Sequence, residues 1–203
     1  MVMKKITYSP QIVDLGLSSK WSTCNLGASS PEEYGDYYAW GELEPKSSYD
    51  INNYKWFSKN LSNRYGMVGD SARLDKNIYT QLVVEDDVTH LMLGSTWRMP
   101  SIEDIRELYE KCDWIWTKMN GINGCKITSM VKGYEDSSMF LPAAGCICKS
   151  IKMNFGSMGY YWSSAIYKDN SKNAIITTFD CRRRYKHIPH PRYYGLPIRP
   201  VCD

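Results

Sequence analysis

The chain has 203 residues, of which 43% are hydrophobic and 23% are charged, and its formal net charge is +3. These values are typical of a globular protein with a sizeable core, and they exclude a low-complexity or strongly charged chain. No apolar run approaches the roughly 18 residues of a membrane helix, and none follows the lysines near the N-terminus. We therefore expect no membrane insertion, and no signal peptide in a chain made in the cytoplasm.

The N-terminal part of the chain predicts an extension, a strand and a short helix. Residues 1–12 form the extension. The segment 11–24, QIVDLGLSSKWSTC, alternates hydrophobic and polar residues, which favours a strand. In the segment 29–35, SSPEEYG, a capping-box pattern that starts at Ser30 and a final glycine predict a helix of about two turns.

The middle of the chain predicts a long loop and two helices. Residues 44–80 are polar and turn-rich, and we interpret them as a loop insertion whose Trp and Tyr residues anchor it to the core. The segment 85–94, EDDVTHLMLG, has acids at its start and a glycine at its end, which is typical of a helix. The clearest helix pattern covers 100–114, where Ser101 is the N-cap and Asp104 follows three residues later.

Predicted strands dominate the second half of the chain. Short apolar runs between turn residues predict strands in the segments 121–131, 139–145, 159–167, 173–181 and 195–202. The dipeptides Asn120-Gly121 and Asn123-Gly124 are turn signals. The predicted fold class is therefore α+β, with short helices packed on twisted, mostly antiparallel sheets with long loops, in a single domain over 1–203.

The seven cysteines are scattered and form no C-x-x-C pair. Because seven is odd, at least one thiol is unpaired within a monomer. Isolated cysteines usually behave as small buried hydrophobes, so we expect reduced thiols; one or two disulfides are the alternative if the mature protein lies outside a cell.

The segment 180–195, DCRRRYKHIPHPRYYG, concentrates contact chemistry near the C-terminus. Five basic residues and one acid give it a formal charge of +4, against +3 for the whole chain. We interpret 181–194 as an exposed loop, stiffened by Pro189 and Pro191, that contacts a protein or glycan ligand. The alternatives are an ordinary solvated loop and a site for nucleic acid or another polyanion, which the modest overall charge disfavours.

Several strings of residues resemble one family, and they stand at 13–42, 95–108, 140–145, 159–165 and 195–203. Together, and in this order, they resemble the Fibrobacter-type major paralogous domain, which is common in gut Bacteroidetes. That family is similar to the formylglycine-generating-enzyme group of C-type lectin folds. The resemblance covers roughly 13–203, is weakest over 44–80, and implies a C-type lectin fold.

The resemblance also implies a function. Some members of this fold are variable proteins of diversity-generating retroelements, including phage tail receptor-binding proteins and bacterial surface adhesins. It implies that 160–203 is a candidate variable region that binds a ligand on a cell surface, and that the protein is located on a phage tail or a bacterial surface. Oligomers are compatible with this hypothesis.

Eleven residues are our predicted ligand contacts. Alternation along 174–180, with Phe179 facing the core, places Ile176, Thr178 and Asp180 on the opposite, displayed face. The full set is Tyr167, Asn170, Ile176, Thr178, Asp180, Arg182, Arg184, Tyr185, His187, His190 and Tyr194.

Metal sites and catalysis are the rival hypotheses. The groups with ligand-like type or spacing are His187 and His190, Cys146 and Cys148, and the polar residues at 85–87 and 169–170. We expect ordinary surface or core residues at these positions and no cofactor, with structural calcium as the alternative.

The formylglycine-generating oxidases hold copper in a closely placed C-terminal cysteine pair. The matching part of this chain has Cys181 and Cys202, which are far apart in sequence and lack that local context, so we predict that the protein is not an enzyme. A third hypothesis is a structural module of a surface or pilus assembly. The tryptophans of the family-like strings are expected in the core, namely Trp21, Trp40, Trp97, Trp114, Trp116 and Trp162.

Overall fold

The computed structural model describes residues 11–57, 65 and 80–203. Within these ranges the chain is an α+β structure of mostly antiparallel sheets with two short α-helices, α1 (Val88–Leu93) and α2 (Ile102–Lys111). The strands are β1 (Ile12–Val13), β2 (Lys20–Ser22), β3 (Trp97–Arg98), β4 (Cys112–Met119), β5 (Ile122–Ser129), β6 (Ser138–Pro142), β7 (Cys146–Cys148), β8 (Ile151–Met153), β9 (Met158–Ile166), β10 (Asn173–Asp180), β11 (Arg184–Pro191) and β12 (Val201–Cys202). None of the helices in the described part is long and apolar enough to cross a membrane.

The strands form four groups in the described residues. Strands β1, β2, β12 and β3 make one sheet in that order, so the last strand pairs with strands from the first half of the chain. Strands β9, β10 and β11 make a second sheet with β10 in the middle, and β4, β5 and β6 make a third. Strands β7 and β8 form a separate hairpin.

The sheet of β9, β10 and β11 has a hydrophobic core on each face. Trp162 of β9 and Ile176 of β10 are paired and belong to one core. Tyr161 and Phe179 belong to the other core, which also contains residues of β5 and β6. Because neighbouring strand residues point to opposite faces, a strand between two cores carries apolar residues at successive positions, as NAIITTFD does. Tyr160 and Trp162 therefore lie on one face of β9, and Tyr161 lies on the other.

Two predicted helices are confirmed. Helix α1 begins after Asp87, whose carboxylate accepts a hydrogen bond from the amide of Thr89, and it ends at Gly94. Helix α2 has the complete capping box: the Ser101 hydroxyl accepts from the amide of Asp104, and the Asp104 carboxylate accepts from the amide of Ser101. It ends before the predicted boundary because β4 begins at the next residue.

The predicted helix over 29–35 is wrong. The segment makes a single turn, in which the amide of Glu33 donates to the carbonyl of Ser30 at 3.2 Å. The Glu33 carboxylate reaches back to the amide of Ser29 at 2.7 Å, so the capping interaction forms without a helix behind it. Gly35 then takes a positive φ of 72°, which ends the turn.

The hairpin of β4 and β5 is only partly anticipated by the sequence. Its turn is the predicted Asn120-Gly121, with φ angles of 48° and 84° that asparagine and glycine accept readily. Strand β4 is not among the predicted strands: its first three residues belong to the predicted helix segment 100–114, and no element is predicted for the rest of it. Asn123-Gly124 is not a turn but part of β5, where a Cβ on Gly124 would overlap the backbone of β6.

The interpretation of 181–194 as a loop is also wrong over most of its length. Residues 184–191 form β11, an edge strand of the sheet of β9, β10 and β11. Pro189 lies opposite Ile175, and Pro191 lies opposite Asn173. An edge strand tolerates prolines because one of its sides needs no backbone donors, so the residues that suggested a loop are compatible with a strand at this position.

The other strand predictions are largely confirmed. Strands β5, β6, β9 and β10 lie in four of the predicted segments, whereas 11–24 and 195–202 contain only two- or three-residue strands. In the loop insertion, Tyr49, Tyr54 and Tyr65 are buried, which confirms aromatic anchoring for the part that is described. Residues 58–64 and 66–79 of the insertion, and 1–10 of the extension, lie outside the described residues.

Candidate functional site

A cleft lies between the turn that joins β10 to β11 and the side of the β4–β5 hairpin that faces Phe179. Its volume is about 310 Å³. Its lining consists of Trp114, Trp116, Cys125, Phe179, Asp180, Cys181, Arg182, Arg183 and Arg184. We call it the arginine–tryptophan cleft, because these two residue types form its rim and its wall.

Asp180 builds the turn that carries the arginines. One carboxylate oxygen, Oδ1, accepts hydrogen bonds from the amides of Arg182 at 2.7 Å and Arg183 at 3.0 Å. The amide of Asp180 donates to the carbonyl of Arg183 at 2.9 Å. These bonds are typical of aspartate at the start of a tight turn. The bond from the Arg182 amide is the main reason that the pKa of Asp180 is lowered, so this carboxylate is ionised at neutral pH.

The floor of the cleft is aromatic. Phe179 lies beneath it, and Gly159 on the neighbouring strand leaves the space that its ring occupies, because a Cβ at Gly159 would overlap that ring. Trp114 and Trp116 contact Phe179 edge to face, with ring centroids 5.6 Å and 6.4 Å apart. Period-two alternation along β4 points both indoles to this side.

The two tryptophans differ in whether their ring face and indole N–H are available to a ligand. The indole N–H of Trp114 donates to the carbonyl of Leu108 at 3.1 Å, and its ring stacks on Tyr109. Trp116 is half-buried, and its indole N–H has no hydrogen-bond partner among the described residues. Trp116 therefore offers both a ring surface and a donor to a ligand.

The rim is cationic. The side chains of Arg182, Arg183 and Arg184 are exposed, and none of them lies within ion-pair distance of a described carboxylate. The guanidinium of Arg183 lies 4.5 Å from the ring centre of Tyr185. That of Arg184 lies 5.8 Å from the ring of Trp114. Contacts of this kind orient a guanidinium without neutralising it, so the rim can attract and hold an anion.

The predicted contact residues divide into groups. Asp180, Arg182 and Arg184 are brought together in the cleft. Tyr185 is half-buried at the edge of this group, and its hydroxyl donates to the Asp180 carboxylate at 3.1 Å.

His190 and Tyr194 lie on the other face of the sheet, away from the cleft. The His190 ring packs against Tyr160, Trp162 and Tyr194. Burial lowers the pKa of His190 to about 4, so its imidazole is neutral at physiological pH. Both residues are half-buried and belong mainly to the edge of the core.

The prediction that β10 displays Ile176 and Thr178 to a ligand is wrong. Ile176 is fully buried, and Thr178 is 4% exposed. The prediction assumed that β10 has one solvent face, but a core covers each of its faces. These two side chains are therefore not available to a ligand.

Tyr167, Asn170 and His187 are not part of the cleft. Tyr167 and Asn170 are half-buried in the turn before β10, where the Asn170 side chain accepts from the amide of Lys172 at 3.0 Å. Because β10 has eight residues, this turn and the arginines lie about 25 Å apart. His187 lies at the irregularity in the β10–β11 pairing with a positive φ of 52°.

Trp114, Trp116 and Arg183 also line the cleft, but they are not among the predicted contact residues. Both tryptophans were expected in the core, where Trp21, Trp40, Trp97 and Trp162 do lie. The available signal was the string WIW at 114–116, in which two large amphipathic rings alternate with an exposed isoleucine, as on a half-exposed strand.

The two aspartates considered for metal binding at 86–87 have other partners. Asp86 accepts from the hydroxyl of Tyr65 at 2.7 Å and from the ammonium of Lys55 at 3.3 Å. Asp87 caps α1 and accepts from the amide of Met99 at 2.7 Å. The described part of the chain contains no group of three or more His, Cys, Asp or Glu side chains that could hold a metal ion.

The thiols are all free, and most are buried. Cys181 is exposed in the cleft, whereas Cys202 is buried in β12, so the two cysteines compared with a copper pair belong to different parts of the fold. Burial raises the pKa of Cys125, at the cleft floor, to about 12, which keeps that thiol protonated.

Comparison with known proteins gives no match: no family model, no curated protein and no solved structure is significantly similar to this chain.

Proposed function

We propose that this protein is a ligand-binding protein with a C-type lectin fold, and that it contacts its ligand through the arginine–tryptophan cleft. The ligand is a protein or glycan on a cell surface, and the protein acts on a phage tail or a bacterial surface. The family-like strings in the sequence and the pairing of the last strand with β2 and β3 support the fold proposal. The cleft supports the binding proposal.

The observation that carries the proposal is the state of the three arginines. Arg182, Arg183 and Arg184 are consecutive, exposed and without an ion-pair partner in the described chain, and they stand beside a half-exposed indole. Three adjacent like charges repel one another, and the single carboxylate of Asp180 in the same turn offsets only part of this repulsion. Binding an anionic group offsets this repulsion, and the rigid sheets below limit the entropy cost of binding.

Diversification by a retroelement is proposed for the same region. In 160–203, residues such as Trp162, Phe179 and Arg199 are buried. Variation compatible with folding is therefore confined to exposed positions, and the turn at 181–184 is the largest exposed run that borders the cleft. A near-copy of the 160–203 codons that differs at adenines, next to a reverse transcriptase gene, is the genomic observation that tests this part.

The binding proposal is tested with the double variant Arg182→Ala/Arg184→Ala. Fluorescently labelled wild-type protein is titrated onto a panel of bacterial cells, and the apparent Kd is measured on each strain that binds. We expect the variant to bind at least about tenfold more weakly, because two rim cations are removed. Circular dichroism and the urea midpoint should stay close to wild type, since both side chains are exposed.

The matched control is Lys126→Ala/Lys132→Ala, which removes two exposed cations outside the cleft; Lys126 lies opposite Ile115, on the face of the hairpin away from the cleft. It lowers the net charge equally, so equal losses in the two double variants would reveal general electrostatic attraction and contradict the proposal. Wild-type affinity in the arginine variant would contradict it as well, and would favour the structural-module hypothesis.

A further inference from the structure

We propose that the arginine–tryptophan cleft binds an acidic sugar residue, that is, a pyranose ring that carries a carboxylate. This inference rests on the proposed binding function and names the chemical class of its ligand. It follows from four features of the cleft: its size, its aromatic wall, its unpaired cations and its single carboxylate.

The size of the cleft fits one ring. Its volume of about 310 Å³ is at the lower end of the roughly 300–1,000 Å³ of small-molecule pockets. A cleft of this size suits a ligand group of about one sugar ring. It is not a long groove of the kind that follows a nucleic-acid strand.

The wall of the cleft suits a sugar ring. The two faces of a pyranose carry C–H groups, and these groups pack on an aromatic surface, while its hydroxyls accept hydrogen bonds at the edge. Trp116 supplies a half-exposed ring and a free indole donor. The lining atoms around it, from Phe179 and the protonated Cys125 thiol, are neutral, so they do not compete for the anion.

The cations suit a carboxylate. Arg182 and Arg184 lie two residues apart on a tight turn, and both border the cleft. A guanidinium binds a carboxylate through two parallel hydrogen bonds, a geometry that a lysine does not reproduce. Arg184 is already oriented by its contacts with the rings of Tyr109 and Trp114, which reduces the entropy lost on binding.

Asp180 distinguishes a sugar from a bare anion. Its carboxylate is ionised and stands among the arginines, so it repels any anionic group that approaches it and favours a hydrogen-bond donor, which sulfate lacks. It also has acceptor capacity to spare: Oδ1 receives two amides, whereas Oδ2 receives only the Tyr185 hydroxyl. A ligand that carries both a carboxylate and hydroxyl donors satisfies the arginines and Asp180 together.

An acidic peptide fits less well. Extended peptides commonly bind by adding a strand to a sheet edge, and two edge strands, β4 and β11, border the cleft. Pro189 and Pro191 remove two backbone donors from β11, so a peptide cannot pair along the whole length of that strand.

The test is a titration of the wild-type protein with defined probes, followed by tryptophan fluorescence and isothermal calorimetry. The acidic probes are 3′-sialyllactose and trigalacturonic acid, and the neutral ones are lactose and maltotriose. A hexaglutamate peptide and a short oligothymidylate represent the other polyanions. We expect an acidic trisaccharide to bind at least about tenfold more tightly than its neutral counterpart, Arg182→Ala/Arg184→Ala to abolish that preference, and Trp116→Ala to weaken the binding of acidic and neutral sugars alike.

Equal affinity for acidic and neutral sugars, or binding of the peptide or oligonucleotide in place of the acidic sugars, would overturn the inference. Competition on cells separates it from the proposed function. If cell binding depends on the two arginines but neither acidic trisaccharide competes with it, the sugar assignment is wrong and the binding function stands. If cell binding does not depend on the arginines, the proposed function itself is wrong.

Discussion

Two buried arginines connect distant parts of this chain. Arg199 is 1% exposed, and no carboxylate is among its hydrogen-bond partners. Its guanidinium donates to the Asn25 side chain at 2.9 Å and to the carbonyls of Ser22, Thr23 and Phe140. Burial lowers its pKa, but a guanidinium remains charged in proteins, so its donors need these acceptors to offset the lost hydration.

Arg192 plays a comparable role beside the loop insertion. It is fully buried and donates to the hydroxyl of Tyr54 at 3.0 Å and to the carbonyl of Ser171 at 2.7 Å. Its guanidinium also lies 4.7 Å from the ring centre of Trp40. One of the four arginines in the basic C-terminal run is therefore a core residue that fastens the insertion, and the sequence pattern alone did not distinguish it from its exposed neighbours.

The substitution Arg199→Lys tests the structural role of a buried guanidinium. A lysine keeps the charge but cannot reach four acceptors in one plane, so buried carbonyls lose their donors. We expect the free energy of unfolding to fall by about 2–4 kcal/mol, measured from urea denaturation at pH 7. The exposed Arg106→Lys should change it by less than about 0.5 kcal/mol. An unchanged urea midpoint in Arg199→Lys would contradict this account.

At the scale of elements, helix α2 is fixed by one carboxylate. Asp104 accepts hydrogen bonds from Arg98 at 2.6 Å, from the hydroxyl of Ser19 at 2.6 Å and from the amide of Ser101 at 2.7 Å. It therefore links the start of α2 to β3 and to the segment before β2. Burial alone would raise the pKa of Asp104, but these hydrogen bonds outweigh it and lower the pKa to about 2.

This lowered pKa predicts an acid-dependent contribution to stability. The folded pKa of Asp104 lies below its unfolded value of about 3.9, so its contribution of about 2 kcal/mol is present above pH 4 and is lost as the pH falls towards 2. We expect the difference in unfolding free energy between the wild type and Asp104→Asn to shrink over this range. The exposed Asp136→Asn is the control, and its difference should stay small at each pH. A difference for Asp104→Asn that does not vary with pH would contradict the assignment.

Local signals predicted some elements and failed at others, for physical reasons. The capping box at Ser101 and the Asn120-Gly121 turn were predictable because each depends on neighbouring residues alone. Strand β11 was not, because the prolines that suggest a loop are acceptable only at a sheet edge, and edge position is a property of the whole sheet. The burial of Ile176 likewise depends on which elements cover β10 from both sides.

At the scale of the whole molecule, charge and aromatic residues from separate parts of the sequence meet at one place. The arginines come from the turn after β10, and the tryptophans come from β4, more than sixty residues earlier. Sequence reasoning identified the cationic part from its composition. It could not identify the aromatic wall, because the distance between β4 and the turn is set by packing of both elements on the core that contains Phe179.

The central claim is that these two parts act as a single binding site, and Trp116→Ala tests it most directly. Its control is the neighbouring Ile115→Ala on the same strand, since Ile115 is 54% exposed and points to the opposite side of β4. Affinity for cells that bind the wild type is measured for both variants. We predict that Trp116→Ala weakens binding at least about tenfold while Ile115→Ala binds as the wild type does. Full affinity in Trp116→Ala, together with a loss in Arg182→Ala/Arg184→Ala, would show that the arginines bind without the cleft and would contradict the account.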